Sequence, residues 1–222
     1  MSCAQRSLLA DLRTQDRETV VPGMMDTTAE LPAVFRWLPG WIEPGEARRL
    51  LDALLVEIPW EDHTVSIIGR TVPVPRRVAY YGPFPYAYSG IVHPAHALPP
   101  IIAGLRDRIE EVSGQPFNTV LMNLYRSGND SVSWHSDDDY PHGGHPAVAS
   151  LSLGETRRFR IAHKRNAAER HAIDLTAGGL LIMGGTSQLD YRHALPKSTK
   201  AVGARINLTF RHMAASNLTT PR

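Results

Sequence analysis

The sequence predicts a mainly β fold with flanking helices, in the α+β class, on three observations. After Pro116 the chain breaks into short runs rich in β-branched and aromatic residues. Glycine, asparagine or proline separates most of those runs. Two longer segments upstream carry apolar residues at helical rather than strand spacing. Strand-like runs at such intervals indicate a β-sandwich or barrel rather than a βαβ array.

The elements follow in order. Residues 1–30 mix charges throughout, lack an apolar signal-peptide core and are expected to form a loosely ordered polar leader. "LPAVFRWLPGWI" is apolar but broken by proline and glycine. In "EPGEARRLLDALLVEIPW", Leu50, Leu51, Leu54, Leu55 and Ile58 share one broad helical face, and Pro59 stops the helix. "TVSIIGRTVPVPRRVAYYG" turns strand-like, and "PPIIAGLRDRIEEVSG" forms a second helix ending at Gly114. The strands "FNTVLMNLYR", "AVASLSLG", "RRFRIAHK", "HAIDLT", "GLLIMGG" and "RINLTFRH" complete the chain. The organisation is thus a leader, a helical and β-rich support over 31–117, an all-β core over 118–213 and a tail over 214–222.

Bulk properties narrow the function classes. The 222 residues suit one domain with a substantial core, and 42% hydrophobic with 21% charged residues is ordinary for a globular protein. A net charge of +2 means that affinity for an anionic polymer must come from local basic patches. Cys3 is the only cysteine, which excludes an intrachain disulfide framework and cysteine-rich zinc modules. It also agrees with a reducing, cytoplasmic setting. No apolar run reaches membrane-spanning length, so a soluble protein without a membrane partner is expected. A monomer is a separate expectation.

The chemistry-bearing stretch is "WHSDDDY", where His135 stands two residues before Asp137. Alone, it fits an acidic surface turn as well as half of a metal site. His193 in "DYRHALPK" is available as a third ligand, since a jelly roll brings distant strands side by side. Two histidines and one carboxylate make a facial triad with open positions, suited to non-haem Fe(II) oxygenases. In "ARINLTFRH", alternation places Arg205, Asn207, Thr209 and Arg211 on one face and Ile206, Leu208 and Phe210 on the other. A guanidinium fork matches carboxylate geometry, so a dicarboxylate such as 2-oxoglutarate suits the polar face. Asn123 and Tyr125 share a face upstream, and both can hydrogen-bond an oxoacid. Each of these faces, taken alone, also reads as an ordinary solvated sheet face.

Together, "NLYRSGNDSVSWHSDDD", "DYRHALPK" and "ARINLTFR" resemble the AlkB family of Fe(II)/2-oxoglutarate dioxygenases, over about residues 60 to 212. "PRRVAYYG" and "YAYSG" are more similar to the branch of the human DNA-repair homologues than to bacterial AlkB. The resemblance implies a double-stranded β-helix (jelly roll) core with an N-terminal nucleotide-recognition lid within 31–117. It implies that His135, Asp137 and His193 hold Fe(II) and carry catalysis. Arg205 would bind the distal carboxylate of 2-oxoglutarate, with Asn123, Tyr125, Asn207 and Arg211 completing the pocket. The implied reaction consumes 2-oxoglutarate and dioxygen, gives succinate and carbon dioxide, and hydroxylates an N-linked methyl group that leaves as formaldehyde. Substrates of the 1-methyladenine and 3-methylcytosine type in DNA are expected. The same chemistry on RNA or protein, or a non-catalytic nucleic-acid-binding module, are the alternatives.

A paired base must leave the stack to be modified. Tyr86 and Tyr88 match the family's lid aromatics and are expected to stack on or border that base. Asp138 would favour a base made cationic by ring methylation. Lys197 and Lys200 are expected to contact phosphate, as basic residues do in the related branch. Arg76 with Arg77, the "RRFR" strand, and Lys164 with Arg165 supply further local positive charge. His142 and His145 lie beside the site, where Pro141, Gly143 and Gly144 signal a turn.

Overall fold

The computed structural model describes residues 30–67, 70–88, 91–137, 147–200 and 203–214. Asp138, the His142 and His145 turn, nearly all of the tail and all of the expected leader except Glu30 lie outside these residues. The strands are β1 (Phe35–Leu38), β2 (Glu61–Ile67), β3 (Arg70–Tyr81), β4 (Tyr86–Tyr88), β5 (Ile91–His93), β6 (Thr119–Tyr125) and β7 (Val132–His135). They continue as β8 (Val148–Gly154), β9 (Arg157–His163), β10 (Arg170–Leu175), β11 (Leu180–Met183), β12 (Tyr191–Leu195) and β13 (Arg205–Arg211). Among the described residues three helices join them: α1 (Pro44–Glu57), α2 (Pro100–Ser113) and the single turn α3 (Ser187–Asp190).

Both long helices begin with proline, whose fixed φ and missing N–H suit the first turn. α1 ends where Ile58 turns extended ahead of Pro59. α2 ends on Gly114 at φ 66°, whose N–H donates to the Glu110 carbonyl. Their apolar faces, with Leu50, Leu51 and Leu54 on α1 and Ile102, Leu105 and Ile109 on α2, form one cluster with the outer face of a sheet. Burying each such side chain stabilises the fold by about 1.5–3 kcal/mol.

That sheet has seven strands in the order β1-β11-β8-β13-β6-β3-β2. A second sheet, β10-β9-β12-β7, faces it, and β4-β5 make a separate hairpin. The two facing antiparallel sheets are the jelly roll, or double-stranded β-helix. β1 and β3, from the stretch read as support and lid, add to its larger sheet. β13 runs through the middle of that sheet and alternates as its sequence requires. Ile206, Leu208 and Phe210 pack under the helices, while Arg205, Asn207, Thr209 and Arg211 lie buried on the side facing the smaller sheet. Register carries the polar band sideways: Asn207 stands opposite Asn123 on β6 and Ser152 on β8. Gly154 ends β8 at φ 85°, where a Cβ would lie 2.3 Å from the Ala204 carbonyl oxygen, so the close approach of the chain just before β13 requires glycine there.

Candidate metal centre and carboxylate pocket

β7 and β12 are antiparallel neighbours, and their register sets His135 directly opposite His193. The two rings meet edge to face with centroids 4.3 Å apart. Asp137 closes the group, its carboxylate oxygens 3.8 Å from His135 Nε2 and 3.9 Å from His193 Nε2. All three candidate ligand atoms lie within 4.8 Å of one another. His135 Nδ1 is 2.7 Å from the Ser133 carbonyl oxygen. A carbonyl only accepts, so Nδ1 carries the proton and Nε2 presents its lone pair to the centre. Two imidazoles and a carboxylate on one side of an open pocket form a donor set that fits Fe(II).

Arg211 fixes the carboxylate, with Nη2 2.8 Å from Asp137 Oδ1. Burial alone would raise the Asp137 pKa, but Arg211 and the two histidines outweigh it and hold it at about 2. Burial, aided by His135, pushes the His193 pKa down to about 3, and burial also lowers that of His135. Near neutral pH the centre is therefore a carboxylate with two neutral imidazoles, which is the ligating form of each. The Asp137 N–H donates to Gln188 Oε1 at 2.8 Å, which ties the turn after β7 to α3.

A small pocket opens on this centre and is lined from both sheets. Asn123, Tyr125, Asn207, Thr209 and Arg211 line it from the larger sheet, and His135, Phe159 and His193 from the smaller. Arg205 lies beside Tyr125, its guanidinium carbon 5.2 Å from the ring centroid. It is only 1% exposed, yet its Nε and Nη1 have no hydrogen-bond partner. Nη2 alone is engaged, with Ser152 Oγ at 2.9 Å and Asn207 Oδ1 at 3.2 Å. Burial lowers its pKa to about 10, still well above neutral, so the side chain is a buried cation. Two orphaned donors on a buried cation are what an anionic carboxylate would satisfy. Arg205 is not itself among the pocket-lining side chains; Tyr125 and Asn207 are its nearest neighbours there.

The expected nucleic-acid residues are placed differently. Tyr86 is 8% exposed and stacks on Tyr80 with centroids 5.2 Å apart, so its ring belongs to the packing of the hairpin rather than to an open surface. Tyr88 lies on β4. Lys197 and Lys200 are exposed on the segment after β12, which is tied down by the Ser198 N–H donating to the Gly128 carbonyl. Among the other expected basic residues, the structure corrects Arg76 and Arg157, which are buried. Arg76 is 5% exposed and donates to Asn123 Oδ1 at 2.7 Å. Arg157 is buried against the carbonyls of Ser127, Asp130 and Pro196. Arg77 pairs with Asp62, Arg158 with Asp174 and Arg165 with Asp190, while Lys164 Nζ bonds the Gln188 carbonyl. Arg76 and Arg157 are thus engaged inside the protein, while Arg77, Arg158 and Arg165 are paired at its surface. Arg76 and Gln188 are the residues that sequence reasoning missed at the site: the first reads as one of a surface basic pair, and nothing local marks the second.

Comparison with known proteins gives a consistent assignment. The 2OG-Fe(II) oxygenase superfamily model matches residues 34–211. The human alpha-ketoglutarate-dependent dioxygenase alkB homolog 3 is 41% identical over 182 residues, covering 78% of this chain and 64% of the relative. This chain thus spans a little under two thirds of that relative's length. The mouse DNA oxidative demethylase ALKBH2 is 35% identical over 156 residues, covering 66% of this chain and 65% of its own. The solved structure of OsALKBH1 superposes with a TM-score of 0.60 at 19% identity, over 82% of this chain and 100% of that one, a likeness of fold.

Proposed function

Because this chain belongs to the 2OG-Fe(II) oxygenase superfamily, on its AlkB branch, we propose that it is an Fe(II)- and 2-oxoglutarate-dependent dioxygenase that strips N-linked methyl groups from alkylated bases in DNA. One juxtaposition supports this reading above all. The His135–Asp137–His193 donor set lines a polar pocket, and a buried Arg205 with two orphaned donors lies behind its wall, against Tyr125 and Asn207. His135, Asp137 and His193 would hold the iron, which when bound supplies the activation of dioxygen.

The chain's own residues do the rest. The Ser133 carbonyl sets the His135 tautomer, and Arg211 keeps Asp137 anionic and aimed at the centre. Arg205 receives the distal carboxylate of 2-oxoglutarate, with Tyr125, Asn123 and Asn207 along the pocket wall. Arg76 holds the Asn123 amide in one orientation through its bond to Oδ1. In the balanced reaction one oxygen atom ends in succinate and carbon dioxide leaves. The other oxygen is inserted into a methyl C–H bond, and the hemiaminal releases formaldehyde and the unmodified base. Asp138, next in sequence to Asp137, favours a cationic ring, Tyr88 of β4 borders the flipped base, and Lys197 and Lys200 take phosphates. The protein acts as a cytoplasmic monomer on this reading.

The test is incubation of the iron-loaded protein with 2-oxoglutarate and matched methylated DNA, RNA and peptide. Succinate, formaldehyde and the mass of each substrate are followed together. Loss of the methyl mass from 1-methyladenine or 3-methylcytosine in DNA, with equal formaldehyde, supports the proposal. Turnover of the peptide alone overturns the DNA reading, and absence of succinate with every substrate overturns the enzyme reading.

A further inference from the structure

A second group of two histidines and a carboxylate sits away from the centre described above. Glu61 and His63 are alternate residues of β2 and so share one face, and His93 comes from β5. One ligand atom from each lies within 4.8 Å of the others. The His63 and His93 rings meet at 90° with centroids 5.0 Å apart, and His63 Nε2 is 3.2 Å from Glu61 Oε2. His93 is 4% exposed. The Nε2 atoms of both His63 and His93 are buried and make no hydrogen bond. The pairing of β2 with β3 slips between Asp62 and Thr64, opposite Val74, Pro75 and Arg76, and so re-aims the backbone at His63.

We propose that Glu61, His63 and His93 bind a divalent transition-metal ion of the Zn²⁺ class, which clips the β4-β5 hairpin to β2. Two imidazole nitrogens and a carboxylate oxygen are a borderline donor set of the kind that Zn²⁺ takes, with a fourth position left for water. One ion satisfies at a stroke the orphaned His93 nitrogen and the His63–Glu61 pair beside it. Burial and the neighbouring His63 lower the His93 pKa, which leaves the imidazole in its neutral, ligating form. Glu61, with its side chain 59% exposed, marks the side from which the ion enters. The hairpin is a sheet of its own and meets the larger sheet through the packing of Tyr86 on Val78, Tyr80 and Leu121, with the His93 ring also 6.1 Å from the Tyr80 ring between centroids. A clip here fixes the element that carries Tyr88 without touching the pocket. The site is structural, and its chemistry is independent of the proposed demethylation.

The experiment counts Zn²⁺ bound by the full chain in equilibrium dialysis, with metal measured by atomic emission and folding checked by circular dichroism. Wild type is expected to bind two equivalents, because the His135–Asp137–His193 centre takes Zn²⁺ as well. The His135→Ala/Asp137→Ala variant should keep one equivalent, and Zn²⁺ should raise its melting temperature. Adding His63→Gln should abolish both the remaining equivalent and the thermal shift. Glu61→Gln, a surface change that spares the core, should weaken that binding at least tenfold. No Zn²⁺ on the His135→Ala/Asp137→Ala variant, or one equivalent undiminished by His63→Gln and by Glu61→Gln, overturns the proposal.

Discussion

The two faces of β13 do opposite things with the same backbone. On one, Ile206, Leu208 and Phe210 are fully buried against α1 and α2, where close packing satisfies everything they present. On the other, Arg205, Asn207, Thr209 and Arg211 are equally hidden from solvent but polar, and they are only partly satisfied by one another. Burying polar groups costs stability unless each finds a partner. A fold that hides four of them on the inner side of its central strand is holding that side for something else. The outer face keeps the strand in place, and the inner face uses that placement.

The sharpest break in this comparison removes the inner centre altogether. His135→Ala, Asp137→Ala and His193→Ala should each abolish succinate formation while leaving the circular dichroism spectrum of the folded protein intact. Near-normal turnover in any one of them would take that residue out of the centre. Phe210→Ala, on the outer face, should do the reverse, costing about 3–5 kcal/mol of unfolding free energy because a fully buried ring leaves a cavity. A loss under about 1 kcal/mol in urea titration would mean that the outer face is not what holds the strand. Arg205→Ala sits between the two. Charge-assisted hydrogen bonds contribute about 1.5–3 kcal/mol, so the 2-oxoglutarate requirement should rise roughly tenfold to a hundredfold with little change in the midpoint of unfolding. An unchanged requirement would mean that the orphaned donors serve no carboxylate.

Acid should reveal the same asymmetry. His193 keeps a pKa of about 3 in the fold, against about 6.5 when unfolded, so between those values the unfolded chain binds the extra proton. Stability of the metal-free protein therefore rises with pH across that window and is lost as pH falls through it. Asp137, at about 2 in the fold against about 3.8, adds loss in the same direction below pH 4. One proton gives a slope of at most about 1.4 kcal/mol per pH unit, and His193→Gln should flatten the upper part of the curve. A curve as steep in that variant as in wild type would relocate the effect. The smallest expected change is on the exposed side. Lys197→Ala with Lys200→Ala should flatten the salt dependence of DNA binding by about one phosphate contact each, without altering 2-oxoglutarate dependence.

What could be read without coordinates follows the same division. Helical and strand periods announce packing faces, so α1, α2, β6 and β13 are visible in Leu50, Leu54, Ile102, Ile109, Leu208 and Phe210. β1 was hidden because prolines and glycine surround "FRWL" and its partner β11 lies far along the chain. β7 and β12 were hidden because they are short and carry the polar site residues instead of an apolar alternation. At the site, the ligands and Arg205 were legible through their resemblance to a family and through alternation on one strand. Arg76 was not, because adjacent arginines look like solvated charge until a fold turns one of them inward. Nor was Tyr86, whose pattern with Tyr88 says that two rings share a face but not which of them Tyr80 will cover.

The position of β13 also sets a schedule. It is the last of the described strands along the chain, yet it lies between β8 and β6 at the centre of the larger sheet. A ribosome reading this message exposes β6 and β8 as two unmatched edges until residues 205–211 have emerged. The sheet therefore closes in one late event, and any chain halted upstream of Arg205 carries both open edges into the cell. Such contacts between distant residues are slow to form, so nascent chains of this protein should depend on chaperones until that strand arrives.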